Sequence, residues 1–290
     1  MFEAHFGLRE KPFSILPDPK FLYLGSRHRM AYSMLEYGVI DNAGFTVITG
    51  DIGSGKTSLV RKLIGDIPDG VTMALISNTS SNAGRLIDWI MMAFGLPFED
   101  RSYPRLYQEF QQFLVEQRRN DRRCVLIIDE AQNLDSARLE ELRMLSNVNV
   151  ERMLLQLVVV GQPELRDLLR APEMRQFAQR IASDFHLLPL SPDDAARYFA
   201  HRLTVAGGRT RLFTRPATEL IYAYAGGVPR AMNIVADRCL VYAFGEGVSF
   251  VGQRIVRKVT DDMDRYGSFT LAAVQPDLHD PGVAQTIKSL

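Results

Sequence analysis

The sequence predicts an α/β protein: a five-stranded parallel sheet flanked by helices, followed by a small all-helical domain. Three observations predict it. The β-branched run Phe45-Thr46-Val47-Ile48-Thr49 is separated from a helical pattern at 57–64 by Gly50-Asp51-Ile52-Gly53-Ser54-Gly55-Lys56-Thr57. A second run, Cys124-Val125-Leu126-Ile127-Ile128, is apolar throughout and ends in Asp129-Glu130. Continuous apolarity means burial on both faces, as in a parallel sheet. From Ser191 onward the pattern is helical, with no strand-like segment between helices.

Composition bounds the reading. The chain has 290 residues, 46% of them apolar, which suffices for a full core in one large or two modest domains. Formal net charge is zero, so there is no global electrostatic case for nucleic acid or an acidic membrane. Cys124 and Cys239 sit in an apolar strand and an apolar helix and read as small buried hydrophobes. No Cys/His cluster suggests a metal. The opening residues carry Glu3, His5, Arg9 and Glu10, which is no signal peptide. No apolar run reaches the ~18 residues of a membrane span. A reduced, cytoplasmic protein is expected.

Residues 1–43 are an N-terminal arm and helix. Lys11-Pro12-Phe13 and Leu16-Pro17-Asp18-Pro19 are turn-rich, Phe21-Leu22-Tyr23-Leu24 is a short apolar stretch, and 27–40 reads as a helix. The stretch around Tyr23 is a candidate for the base pocket of a nucleotide; plain packing of the arm is the other reading. Residues 44–190 are the α/β core, with strands at 45–49, 71–77, 124–130, 154–160 and 184–188. Helices fall at 82–94, with Asn82 as cap, and at 103–119, 139–147 and 165–169. Arg118-Arg119-Asn120-Asp121-Arg122-Arg123 is a basic turn: a solvated helix end, where cations are favoured, or a nucleic-acid contact. Residues 191–265 form a helical lid domain with helices at 193–206, 214–225, 229–245 and 252–265, the first opened by Ser191-Pro192. Residues 266–290 read as a flexible tail.

The chemistry lies in two stretches. Gly50 to Thr57 fits G-x-x-x-x-G-K-[ST], the phosphate-binding loop of nucleoside-triphosphatases, and its strand–turn–helix flanks agree. Gly50, Gly53 and Gly55 permit backbone conformations that side chains forbid. The main chain through Asp51, Ile52, Ser54, Lys56, Thr57 and Ser58 then cradles the phosphates of ATP. Lys56 sets a point charge on them, and the Thr57 hydroxyl is a ligand for Mg²⁺. Asp129, at the carboxyl end of its strand, would hold the same ion through water. Glu130 would polarise the attacking water as general base. A whole strand separates the two motifs, so the two catalytic strands are not consecutive, which marks the hydrolytic branch of these enzymes. Gln162, at the tip of the fourth strand, is placed to orient water or sense the γ-phosphate.

Several phrases together resemble the AAA+ ATPases, and among them the GspA/ExeA-type secretion ATPases. These are Phe6-Gly7-Leu8-Arg9-Glu10-Lys11-Pro12-Phe13, Pro17-Asp18-Pro19-Lys20-Phe21-Leu22-Tyr23-Leu24, Asp129-Glu130-Ala131-Gln132-Asn133-Leu134, Val160-Gly161-Gln162-Pro163-Glu164-Leu165, Gln179-Arg180-Ile181 and Gly227-Val228-Pro229-Arg230-Ala231-Met232-Asn233. The resemblance covers about residues 1–265. The most similar subgroup is the secretion ATPase found with exosortase/PEP-CTERM exopolysaccharide loci. It implies that Asn78 is the polar partner that holds the catalytic glutamate off until assembly, and that Gln162 is the first sensor. It implies that Arg180 is the arginine finger, with Arg175 as competitor, and that Arg230 is the second sensor on the lid. A finger at Arg180 requires self-association into a ring or dimer. GspA-type proteins carry a membrane span and a periplasmic peptidoglycan-binding part after the ATPase, and this chain stops at 290 with neither. A cytoplasmic ATPase, able to sit peripherally at the inner membrane and acting on a membrane-bound export or polysaccharide-synthesis partner, is therefore expected. The same ATPase type also resembles transposition regulators such as MuB and TniB, so an ATP-dependent DNA-binding regulator is the alternative, against which the zero net charge counts.

Overall fold

The expected strands pair side by side in the computed structural model, which describes residues 1–40, 44–77, 84–148 and 153–267. They are β1 (Phe45–Gly50), β2 (Val71–Ile76), β3 (Arg123–Ile128), β4 (Leu155–Gly161) and β5 (Ile181–Leu187). They form one sheet in the order β2-β3-β4-β1-β5, parallel throughout. The two central strands β1 and β4 are buried along their whole length, which is why they lack the alternation of a half-exposed strand. β5, at an edge, leaves Ala182 and Asp184 exposed. That broken pattern explains why it begins at Ile181, three residues earlier than the expected 184.

Twelve α-helices occur among the described residues: α1 (Glu3–Phe6), α2 (Ser26–Ile40), α3 (Lys56–Gly65), α4 (Leu86–Ala93), α5 (Tyr103–Arg119), α6 (Ser136–Leu145), α7 (Pro163–Arg170), α8 (Arg175–Ala178), α9 (Pro192–Val205), α10 (Arg215–Ala225), α11 (Pro229–Gly245) and α12 (Gln253–Tyr266). Caps set several boundaries. The Asp135 side chain accepts from the Arg138 N–H, so α6 starts at Ser136 and not at the expected 139. Ser191 accepts from Asp194 N at 3.2 Å at the head of α9. α4 starts at Leu86, four residues later than expected; Asn82 and Asn78 lie outside the described residues. Residues 268–290 of the expected tail do too. No helix among the described residues is long and apolar enough to cross a membrane.

The chain forms two compact units: a sheet unit of residues 27–52 and 56–188, and a helical unit of residues 1–26, 53–55 and 189 onward. In the sheet unit Leu126, Ile128, Leu157 and Val159 pack with Ile87, Ile90, Leu106, Phe110, Leu139 and Phe177. α2 comes so close to β1 that a Cβ at Gly38 would lie 2.2 Å from Thr46 Oγ1. Part of the basic turn is structural: Arg123 Nη1 donates to Ile40 O at 2.7 Å and Val39 O at 3.3 Å, capping the carbonyl end of α2.

In the helical unit the arm belongs to the core. Phe2, Phe6, Phe13 and Phe21 are buried among Phe199, Leu203, Phe213, Val235 and Leu240. Arg202, 7% exposed, donates from Nε to Pro12 O at 2.5 Å and from Nη2 to Ser14 O at 3.0 Å, and lies over the Phe21 ring. A buried guanidinium is tolerable only with such partners. Asp194 accepts from Tyr23 Oη and from both the N–H and the hydroxyl of Ser26. These bonds hold its carboxyl below the usual range against the opposing effect of burial, which is the largest single influence on it.

Candidate active site

The sheet register brings the chemistry to one end. Thr49 pairs with Gly161 and Val159 with Ile128, so Gly50, Asp129 and Gln162 all emerge at the carboxyl ends of adjacent strands. β4 lies between the two motif-bearing strands β1 and β3. Ligands bind at this edge in open α/β sheets.

After Gly50 the loop turns through Gly53 and Gly55, whose φ angles of 80° and 106° suit glycine. Lys56 opens α3, is 6% exposed, and donates from Nζ to Gly50 O at 2.6 Å and Asp51 O at 2.9 Å. Burial lowers its pKa, while Glu130, Asp129, Asp51 and Glu164 pull it back up. A single buried ammonium ringed by carboxylates suits a polyanionic ligand that brings its own cation. Ile52 is 64% exposed at the loop's tip, Ser54 is buried, and Thr57 and Ser58 are half-buried in the first turn of α3.

Thr57 Oγ1 donates to Asp129 Oδ2 at 2.8 Å, and Asp129 Oδ1 accepts the Glu130 N–H at 2.9 Å. Burial raises the Asp129 carboxyl above the usual range. A hydroxyl and a carboxylate in contact are a hard, all-oxygen donor pair, which fits Mg²⁺ completed by phosphate oxygens and water. No group of three or more His, Cys, Asp or Glu that would suit an all-protein metal cage occurs among the described residues. Glu130 follows in the left-handed region, φ 54°, a conformation that costs a non-glycine residue on the order of 1–3 kcal/mol. Its Oε2 accepts from Gln132 Nε2 at 2.6 Å and from Gln162 Nε2 at 3.3 Å. Gln132 was not singled out as functional from the sequence; its signals there are its position two residues after the acid pair and its place in the phrase Asp129 to Leu134.

Arg180 lies elsewhere in the sheet unit. Its carbonyl accepts the Phe45 N–H at the amino end of β1, roughly 17 Å from the loop by the rise of five strand residues. Its guanidinium donates to Arg143 O, Ser146 Oγ and Asn147 Oδ1 at 3.1, 2.5 and 2.5 Å. It borders an open cleft of about 480 Å³ with Gly44, Phe45, Asn147 and Leu155. Arg175 is exposed on α8. In the helical unit, the Arg230 N–H donates to Gly53 O at 3.2 Å, and a Cβ at Gly53 would lie 2.5 Å from Arg230 Cβ. Tyr23 commits its hydroxyl to Asp194 at 3.1 Å and its ring to Tyr198 and His201.

Residues 40–169 match the family described as "AAA domain". Those residues form an AAA-type ATPase domain. The match spans the phosphate loop, the acid pair, Gln132 and Gln162, and ends before Arg180 and Arg230. General secretion pathway protein A of Aeromonas hydrophila is 41% identical over 249 residues, covering 85% of this chain. The chain spans 46% of that relative's length. The AAA fold is also that of the Aeropyrum pernix ORC2 protein, seen in its ADPNP–ADP complexes: TM-score 0.64 at 18% identity, covering 87% of this chain and 71% of that one. Cdc6p from Pyrobaculum aerophilum gives 0.62 at 18% identity over 85% and 71%.

Proposed function

We propose that the protein is a Mg²⁺-dependent, self-associating ATPase that energises or regulates a bacterial secretion or exopolysaccharide export system. The observation that carries the chemistry is the contact between Thr57 and Asp129, with Glu130 next in the chain and Lys56 in the loop beside it. Lys56 and the loop N–H groups hold the phosphates of ATP. Thr57 and Asp129 would hold Mg²⁺, which would supply positive charge to the phosphates. A water attacks the γ-phosphorus and passes its proton to Glu130, the γ-phosphorus–oxygen bond to the β-phosphate breaks, and ADP leaves with the electron pair. Gln162 faces the same carboxylate and takes the sensor role. Arg180, remote from its own loop, supports the reading that a second copy supplies a finger; Arg230 as a lid sensor rests on the family resemblance. The base-pocket role of Tyr23 loses its hydroxyl to Asp194 and rests on the ring alone. The export role, a membrane-bound partner protein and a place at the inner membrane rest on the secretion relative, and the exosortase/PEP-CTERM locus on the sequence phrases.

The deciding experiment is ATPase rate against protein concentration, with mass measured in parallel and with and without duplex DNA. Specific activity that climbs as an oligomer forms, indifferent to DNA, supports this reading. Strong, salt-sensitive stimulation by DNA would replace it with the transposition-type alternative.

A further inference from the structure

We propose that Gln132 is a positioning residue of hydrolysis: it holds the Glu130 carboxylate against the tip of β4 and releases it when that tip moves. This rests on Glu130 being the general base. The side chain is fixed at both ends. Nε2 donates to Glu130 Oε2 at 2.6 Å, and Oε1 accepts the main-chain N–H of Gln162 at 3.0 Å. The opposite amide orientation would set oxygen against carboxylate and NH₂ against N–H, so only one satisfies both contacts. The backbone is built for this return. The left-handed Glu130 ends β3 abruptly, and the 3₁₀ turn Ala131–Asn133 brings residue 132 back beside residue 130. At the other end a Cβ on Gly161 would lie 3.1 Å from Gln132 Oε1 and 2.7 Å from Leu165 Cδ2, so the tip of β4 has little slack.

The consequence for chemistry is direct. Two amide donors, Gln132 and Gln162, converge on the same carboxylate oxygen. While both are in place, Oε2 is occupied and the carboxylate is held in one orientation, so it does not turn toward an attacking water. The Gln132 acceptor sits on the backbone of the sensor residue itself. A shift of Gln162 toward a phosphate therefore pulls on the amide that restrains the base. The β4 tip and the base are coupled through one side chain.

The test is steady-state hydrolysis by the full chain, with nucleotide affinity measured separately using a fluorescent ATP analogue. Gln132→Leu removes both bonds and keeps the bulk. It is expected to raise kcat on the order of tenfold to a hundredfold, the effect of losing a hydrogen bond to a charged group, with affinity unchanged. In a Glu130→Gln background the same substitution is expected to change nothing, which a merely structural residue would not achieve. Lower kcat, weakened nucleotide binding, or an equal effect in both backgrounds overturns the proposal. Gln132→Ala, which removes both bonds with less bulk and adds no charge beside Glu130, serves if the leucine variant does not fold, and it too must accelerate turnover. Wild-type rates in Glu130→Gln alone would instead remove the base assignment.

Discussion

The Thr57 hydroxyl and the Asp129 carboxylate are in hydrogen-bond contact at 2.8 Å, joining the phosphate loop to β3. If they share Mg²⁺, Thr57→Ala weakens ATP binding on the order of tenfold when Mg²⁺ is present and leaves binding in EDTA unchanged. Titration with a fluorescent nucleotide in both buffers measures it. Equal loss in both buffers would place the defect in the loop and not at the metal.

Lys56 and Glu130 separate binding from chemistry. Lys56→Ala should abolish nucleotide binding. Glu130→Gln should bind ATP normally and lose roughly 10²–10⁴ in kcat, the usual scale for a general base. Filter binding and phosphate release on the same preparations distinguish the two.

Arg180 has a structural duty as well as the proposed one in trans, because it ties Arg143, Ser146 and Asn147, around the end of α6, to the start of β5. Arg180→Ala is expected to lose turnover and some thermal stability while still binding ATP. Mixing it with Glu130→Gln separates the roles. Each variant is inactive alone, and a mixed assembly places an intact Arg180 beside an intact Glu130. Recovered activity supports the trans role; an inactive mixture sinks it.

Gly227 has φ 73°, its carbonyl accepts the Leu190 N–H at 3.0 Å, and a Cβ there would lie 2.6 Å from Leu190 O. Gly227→Ala should destabilise the helical unit by about 1–3 kcal/mol, from left-handed strain plus the clash. Urea unfolding followed by circular dichroism reads it directly.

Burial pushes both thiols, Cys124 and Cys239, up to about 12. Since the thiolate is the reactive form, native protein at pH 8 should show no fast reaction with a disulfide reagent, and unfolded protein two equivalents. The folded state holds these protons more tightly than the unfolded state. Their contribution is therefore fully present below the ordinary thiol range and is lost as pH rises through it toward 12.

The sheet was legible because its inner strands announce themselves: Val125 to Ile128 in β3 and Leu157 to Val160 in β4 are continuous apolar runs, the mark of burial on both faces. The loop was legible because glycine spacing and a lysine are local features. β5 was misjudged at its start because an edge strand mixes exposed and buried positions. Gln132 escaped notice for a different reason. What recruits it is a positive φ at Glu130, and glutamate gives no sign that it will adopt one. The attachment of the arm was equally hidden, since Pro12 and Arg202 meet across 190 residues of sequence.

That last contact has a consequence during synthesis. Pro12 leaves the ribosome long before Arg202 exists, and at 5–20 residues per second the delay is roughly 10–40 s. For that interval Phe2, Phe6, Phe13 and Phe21 have no helical unit to enter. The nascent chain thus presents an aromatic-rich segment, a natural ligand for a holding chaperone, until the last helices are made and the arm is drawn in.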